Sequence, residues 1–247
     1  PHTVAAMQVL YVSGVMRSGT TVLAQTLATA PNALLLGEIR PVLVDPARHD
    51  ECDCGDPADE CRFWSRTGAH DCDAAKHATA YSFKGAPRTL RTAARHRRKP
   101  DLGLPTVSVL KRIAHVGETK ILVDSSKTPM GILLWRLAGV RPHVVHIVRD
   151  PRTVARLQSQ PSHVSKLKSK SRFRAWLIWL WYTVTSFVVG YSPLVASYTV
   201  VSYRGFVRSP SRAIQRVRTN SGVRIPVPSD GSVVVTESHM RAGNPRR

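Results

Sequence analysis

At 247 residues with 43% hydrophobic side chains, the chain can build one α/β domain with a real core or two small domains, and its composition excludes a disordered or fibrous protein. Its 36 Lys+Arg against 16 Asp+Glu leave a net charge of +20, unevenly placed: residues 1–75 hold ten acidic and five basic side chains, residues 76–247 six acidic and thirty-one basic. Such a field draws in anions, whether nucleic acid, anionic lipid or a multiply charged nucleotide, and charge alone does not choose among them. Residues 1–6 lack the basic and apolar pattern of a signal peptide, so the expected location is cytoplasmic, with peripheral membrane association kept as an alternative.

In chain order, residues 8–13 (QVLYVS) are a β-branched and aromatic run ending at Gly14 and read as a buried strand. Residues 18–30 read as a helix with Val22, Leu23 and Leu27 along one side and Pro31 just beyond its end. The apolar run 33–36 ends at Gly37-Glu38. Residues 45–75 are acidic, Cys-containing and loop-like, and residues 84–100 are rich in Arg and Lys; they read as a Cys-rich insertion and a basic loop in, or over, a core. The next strand is 120–124 (KILVD), followed by a helix from Pro129, because proline suits a first helical position. Residues 143–148 (HVVHIV) form another strand, Asp150-Pro151 opens a helix, and a last strand at 197–202 (SYTVVS) precedes a helix near Ser209-Pro210. Strands alternating with helices predict a single domain over residues 1–247, an α/β, P-loop-like three-layer fold with a central mostly parallel β-sheet.

The string Gly14-Val15-Met16-Arg17-Ser18-Gly19-Thr20-Thr21 fits the phosphate-loop pattern G-x-x-x-x-G-K-[ST] except that Thr20 stands where the lysine belongs. Glycines let backbone amides fold around phosphate oxygens, and the following helix adds a favourable dipole. The missing lysine weighs against an ATPase or kinase, while Arg17 places a cation inside the loop, suited to a 5′-phosphate or sulfate. The plain alternative is a tight strand-to-helix turn.

With its strand, this loop resembles the 5′-phosphosulfate loop of sulfotransferases that use 3′-phosphoadenosine 5′-phosphosulfate (PAPS). The Arg before Ser-Gly-Thr-Thr is similar to protein-tyrosine and many bacterial sulfotransferases. The resemblance implies PAPS as cosubstrate, held by Gly14, Arg17, Ser18, Gly19, Thr20 and Thr21, and no metal requirement. Further blocks follow in family order. Gly37-Glu38 followed by Arg40 resembles the segment with the catalytic Glu, so Glu38 is a candidate base for the acceptor's proton; its alternative is a salt bridge to Arg40 or another cation. Asp124-Ser125-Ser126-Lys127-Thr128-Pro129 looks like the strand-end motif with a catalytic Lys, making Lys127 and Arg17 the cations for charge developing on the leaving oxygen. Asp124 and Ser125 are candidate acceptor contacts, although Asp124 alone suits a helix cap. His146-Ile147-Val148-Arg149-Asp150-Pro151-Arg152 resembles the 3′-phosphate motif: Arg149 matches, but Leu157 stands eight positions later where the family has Ser. The final Gly243-Asn244-Pro245 resembles the loop that closes over the nucleotide, with Gly243, Asn244 and Arg247 as ligands and His239 upstream as a loop histidine or an acceptor-site residue. Tyr203-Arg204-Gly205 departs from the family's acidic Tyr-Glu-Asp.

Three features stand outside these blocks. Cys52, Cys54, Cys61 and Cys72 are spaced C-x-C-x6-C-x10-C without a paired C-x-x-C knuckle, so a disulfide, a structural metal and free thiols all remain open. Residues 175–203 carry no charge over twenty-nine positions and follow a basic stretch; interruptions such as Gly190 and Pro193 favour a buried helix and a core strand over a membrane span. The basic stretch 84–100 lacks the interleaved aromatics of a nucleic-acid site. The expected function is sulfuryl transfer from PAPS to a hydroxyl of a small-molecule or glycolipid acceptor, releasing PAP, with no nucleic-acid partner. The alternative is a basic nucleotide-, nucleic-acid- or membrane-binding protein without that activity.

Overall fold

The computed structural model describes residues 7–49, 51–69, 74–82, 84–95, 104–117, 120–160, 171–226, 235 and 237–242. Five strands, β1 (Gln8–Ser13), β2 (Ala33–Gly37), β3 (Ile121–Lys127), β4 (His143–Val148) and β5 (Ser197–Ser202), form one sheet in the order β2-β3-β1-β4-β5. Every neighbouring pair is parallel. Alternation along the strands divides the core in two. In β1, Val9 and Tyr11 face one cluster while Leu10 and Val12 face the other; in β2, Leu34 and Leu36 oppose Leu35.

Helices cover both faces, as a parallel sheet requires. On one side lie α1 (Thr20–Leu27) through Leu23 and Leu27, α9 (Tyr203–Arg208) through Phe206, and α10 (Pro210–Ser221) through Ile214 and Val217. On the other lie α2 (Ile39–Val44), α5 (Pro105–Val116) and α6 (Pro129–Leu137), the last contributing Trp135. This is the α/β, P-loop-like three-layer architecture the sequence implies. Proline opens α5, α6 and α10 in their first turn, where its missing N–H costs nothing. Thr128 caps α6 by accepting from Met130 N, and Asp150 caps α7 (Pro151–Ser159) by accepting from Thr153 N.

Several elements differ from the sequence reading. The basic stretch is a helix over much of its length, α4 (Ala86–Arg95), rather than a loop, and α3 (Ala74–Ala80) precedes it. Alanine, arginine and leucine, strong helix formers, make up seven of its ten residues, and Pro87 lies in the first turn, where it is tolerated. The Cys-containing segment packs into the core: Cys52, Cys61, Phe63, Trp64 and Ala69 belong to the same cluster as side chains of β1 and α5. The charge-free segment divides into α8 (Arg172–Gly190) and β5, but α8 is not buried. Only Ala175, Ser186 and Gly190 are enclosed, whereas Phe173, Val188 and Tyr191 are 70%, 68% and 78% exposed. Among the described residues, no helix is long and apolar enough to cross a membrane.

Candidate functional site

Because all five strands run the same way, the residues that follow them gather at one edge of the sheet. β1 is central, flanked by β3 and β4, so the chain leaves it at the position where an open α/β sheet forms its crevice. There Gly14 takes φ 155°, Arg17 φ 70° and Gly19 φ 96°. A Cβ on Gly14 would stand 2.8 Å from Ile147 O, and one on Gly19 would stand 2.6 Å from the Tyr203 ring, so both need glycine. Gly19 is the N-cap of α1, and among the described residues no side chain caps that helix, which leaves its first-turn amides to an anion.

The loop is braced from several sides. Arg149 donates to Arg17 O at 3.0 Å, and its guanidinium lies 4.1 Å from the centroid of the Tyr203 ring. Gln158 Nε2 donates to Met16 O at 3.1 Å, Gly14 N donates to Lys127 O at 3.3 Å, and Trp179 Nε1 of α8 donates to Arg149 O at 2.9 Å. Arg149 therefore sits against the loop, joined to it by hydrogen bond and held by cation–π contact with Tyr203.

Ser18, expected as an anion ligand, bonds within the loop. Its hydroxyl donates to Val15 O at 2.6 Å and its N–H donates to the same carbonyl at 3.2 Å, so both donors brace the loop itself. Thr20 is buried and Thr21 half-buried at the start of α1. Leu157 lies in α7, and the hydroxyl of nearby Ser159 donates to Arg156 O within the same helix, so neither replaces the family's serine. Gly243, Asn244, Arg247 and Cys72 lie outside the described residues.

Glu38 and Lys127, from the ends of β2 and β3, form an ion pair through Lys127 Nζ and Glu38 Oε1. The pair joins the two catalytic candidates directly, and it is also the salt bridge to another cation that stood as the alternative for Glu38, with Lys127 rather than Arg40 as partner. Lys127 has φ 69°, in the left-handed region that few non-glycine residues adopt. Its carbonyl accepts from Gly14 N and, at 3.2 Å, from Ser13 Oγ, so one residue touches both the loop and the carboxylate.

Asp124 is not an acceptor contact in this structure. It is fully buried: Oδ1 accepts from Ser126 N at 2.8 Å and Ser126 Oγ at 2.6 Å, and Oδ2 accepts from Trp135 Nε1 at 2.7 Å. Ser126 Oγ in turn accepts from Ile39 N at 3.0 Å and Arg40 N at 3.3 Å, satisfying first-turn amides of α2 immediately after Glu38. Asp124 thus ties the end of β3 to the start of α2 through Ser126, and it does not cap α6, whose cap is Thr128. Burial pushes the Asp124 carboxyl up to about 6, against the lowering effect of its bonds from Ser126 and Trp135. Ser125 beside it is buried as well.

A second cluster lies beside β2. The thiols of Cys52, Cys54 and Cys61 meet His239; Cys72, grouped with them in the sequence, lies outside the described residues. His239 belongs to the segment 237–242, which lies along β2: Leu35 N donates to Glu237 O at 3.1 Å, His239 N donates to Leu35 O at 2.9 Å, and Glu38 N donates to Ala242 O at 2.9 Å. With 178 positions between Cys61 and His239, no local spacing signal reveals this cluster.

A glycine-rich turn leading into an uncapped helix, with an arginine against it at the carboxyl edge of a parallel sheet, is the arrangement of P-loop-like α/β proteins. No family model and no curated protein matches the sequence. Among solved structures, the sulfotransferase domain from the curacin biosynthetic pathway has the same fold, with TM-score 0.53 and 14% identity over 90% of this chain and 75% of that one. The sulfotransferase domain from the Synechococcus PCC 7002 olefin synthase aligns over 89% of this chain and 74% of that one, at 16% identity and TM-score 0.49. The chain has the fold of a sulfotransferase domain.

Proposed function

We propose that residues 1–247 form one sulfotransferase domain that passes a sulfuryl group from PAPS to a hydroxyl of a small-molecule or glycolipid acceptor. The observation that carries the reading is the Glu38–Lys127 pair, set against the phosphate loop by the Lys127 carbonyl. In this reading the loop amides and Arg17 hold the 5′-phosphosulfate, and Arg149 takes the 3′-phosphate. The acceptor oxygen bonds to sulfur, the bond from sulfur to the 5′-phosphate oxygen breaks, and PAP leaves with that electron pair. Glu38 takes the acceptor's proton. Lys127, released from the protonated carboxyl, offsets negative charge on the leaving oxygen. No step calls for a metal.

Thermal-shift measurements with PAP, with ATP and magnesium, and with a DNA oligomer test the reading. PAP is expected to stabilise the protein; stabilisation by ATP and magnesium but not by PAP overturns it. In activity assays Glu38→Gln should lower turnover by about 100-fold or more with PAP affinity nearly intact. Arg149→Ala should weaken PAP by about 10-fold or more.

The second reading is a basic membrane-binding protein without this activity. It is favoured by the exposed apolar side chains of α8, including Phe173, Leu177, Leu180, Val184 and Val188 at helical spacing, beside Arg172 and Arg174. Sedimentation with phosphatidylserine vesicles but not phosphatidylcholine vesicles, together with no response to PAP, would support it.

A further inference from the structure

Cys52 Sγ, Cys54 Sγ, Cys61 Sγ and His239 Nδ1 all lie within 4.8 Å of one another. The separations are 3.5 Å for Cys52–Cys61, 3.6 Å for Cys54–Cys61, 3.2 Å for Cys61–His239 and 3.5 Å for Cys52–His239. A zinc ion with bonds of about 2.3 Å to sulfur and about 2.0 Å to nitrogen sets tetrahedral edges of about 3.8 Å between sulfurs and about 3.5 Å from sulfur to nitrogen. These four edges fall within about 0.3 Å of the lengths such an ion requires, and the remaining two do not exceed 4.8 Å. We propose that Cys52, Cys54, Cys61 and His239 bind one zinc ion as a closed, structural Cys3His site.

The backbone is arranged to present these ligands. Gly55, at φ 96°, closes a turn by donating from its N–H to Cys52 O at 2.9 Å, which brings Cys52 and Cys54 to the same side. Cys61 ends a second turn, its N–H donating to Pro57 O at 2.8 Å. His239 is fixed on every side. Its N–H donates to Leu35 O, its carbonyl accepts from Trp64 Nε1 at 2.6 Å, and its ring stacks on Phe63 at 5.4 Å with an interplanar angle of 17°. Nε2 faces Glu237 Oε1 at 3.4 Å, and Glu237 is itself paired with Lys120 and Arg62. A carboxylate beyond the far nitrogen is the usual outer partner of a metal-bound histidine; here it stands in ion-pair range of a buried Nε2 that makes no hydrogen bond among the described residues.

A disulfide does not account for the cluster. The nearest sulfurs are 3.5 Å apart against about 2.05 Å in a bond. A bare knot of thiols does not explain why Nδ1 of a buried histidine meets two of them, at 3.2 and 3.5 Å. Four protein ligands leave no open coordination position, so the role is structural rather than catalytic. Cys52 also lines a cleft of about 820 Å³ with Glu51, Gly55, Pro57 and Arg241, which gives an ion or a chelator a route in. Zinc would staple residues 52–61 to the segment 237–242, whose last described residue accepts from Glu38 N.

The test uses the full chain, expressed in zinc-supplemented medium, desalted and assayed for metals by inductively coupled plasma mass spectrometry. About one zinc per chain is expected, and replacement by cobalt should give thiolate charge-transfer absorption and the intense visible bands of tetrahedral cobalt. Cys54→Ser, at an exposed ligand, and His239→Ala should lose the zinc, whereas His239→Cys and Cys72→Ser should keep it. Stripping with a chelator should lower Tm by about 10 °C or more, and zinc should restore it. A folded chain without zinc, a disulfide among these cysteines in non-reducing mass spectrometry, retention of zinc by both Cys54→Ser and His239→Ala, or loss of zinc on Cys72→Ser overturns the proposal. Iron at equal stoichiometry overturns zinc as the ion.

Discussion

At the scale of single residues, buried polar groups show where the site depends on exact pairing. Asp124→Asn keeps the shape but turns an amide N–H toward either Trp135 Nε1 or the Ser126 donors, leaving at least one donor facing another. A loss of about 1–3 kcal/mol is expected, read as a lower denaturant midpoint at unchanged slope. His146 makes the complementary case. It is enclosed in β4 with Nδ1 2.7 Å from Tyr198 Oη, and burial lowers its pKa to about 4. Because the unfolded chain binds that proton more readily, stability from this group is present at neutral pH and lost as pH falls from about 6.5 towards 4. Asp124 has the opposite sign: its raised pKa favours folding in acid, and that contribution is lost as pH rises through about 6. The two oppose each other between about pH 4 and 6. His146→Gln removes one of them, so Tm of the variant relative to the parent should improve as pH is lowered from about 7.5 to about 5. Failure of that difference to change sign or shrink would show that His146 is not the group that titrates.

At the scale of elements, legibility followed how local the signal was. The strand ends at Ser13, Gly37, Val148 and Ser202 and the prolines opening α6, α7 and α10 were readable because β-branched runs, glycine and proline act within a few residues. Lys127 at the end of β3 was readable as a cation, but the extension of the strand through Ser125 and Ser126 was not, since sheet pairing overrode two poor strand formers. The exposure of α8 was hidden too: absence of charge suggests burial, yet only the face bearing Ala175, Ser186 and Gly190 packs inward. The Ser186 hydroxyl lies 2.8 Å from Ser13 Oγ, so Ser186→Val should cost about 1–3 kcal/mol by thermal unfolding. Val188→Lys on the exposed side should change stability by less than about 0.5 kcal/mol. Equal losses from both would mean that the outer side of α8 is also packed.

At the scale of the whole molecule, parallel strands bring residues from distant parts of the chain to one edge, which is why the order of motifs was more informative than any one of them. The phosphate loop, Arg149 and Tyr203 act as a stack: Gly19 admits the Tyr203 ring, and the ring supports the guanidinium. Gly19→Ala should displace that ring and weaken PAP binding by about 10-fold, measured by calorimetry, with a smaller effect on overall stability. The part of the site invisible in sequence is the contact of His239 with the cysteines and of Ala242 with Glu38, since neither leaves a periodic or local trace.

The segment 237–242 also has a consequence for the order in which the molecule is made. It covers part of the outer edge of β2, pairing with Leu35 and reaching Glu38, yet it is synthesised about two hundred positions after that strand. A nascent chain can assemble β1, β2 and β3 well before this covering strip emerges. Until then the β2 edge, with Leu34, Leu35 and Leu36 beside it, is open to neighbouring chains. The interval between synthesis of β2 and synthesis of segment 237–242 is therefore the one in which this edge is most open to chaperones and to neighbouring copies.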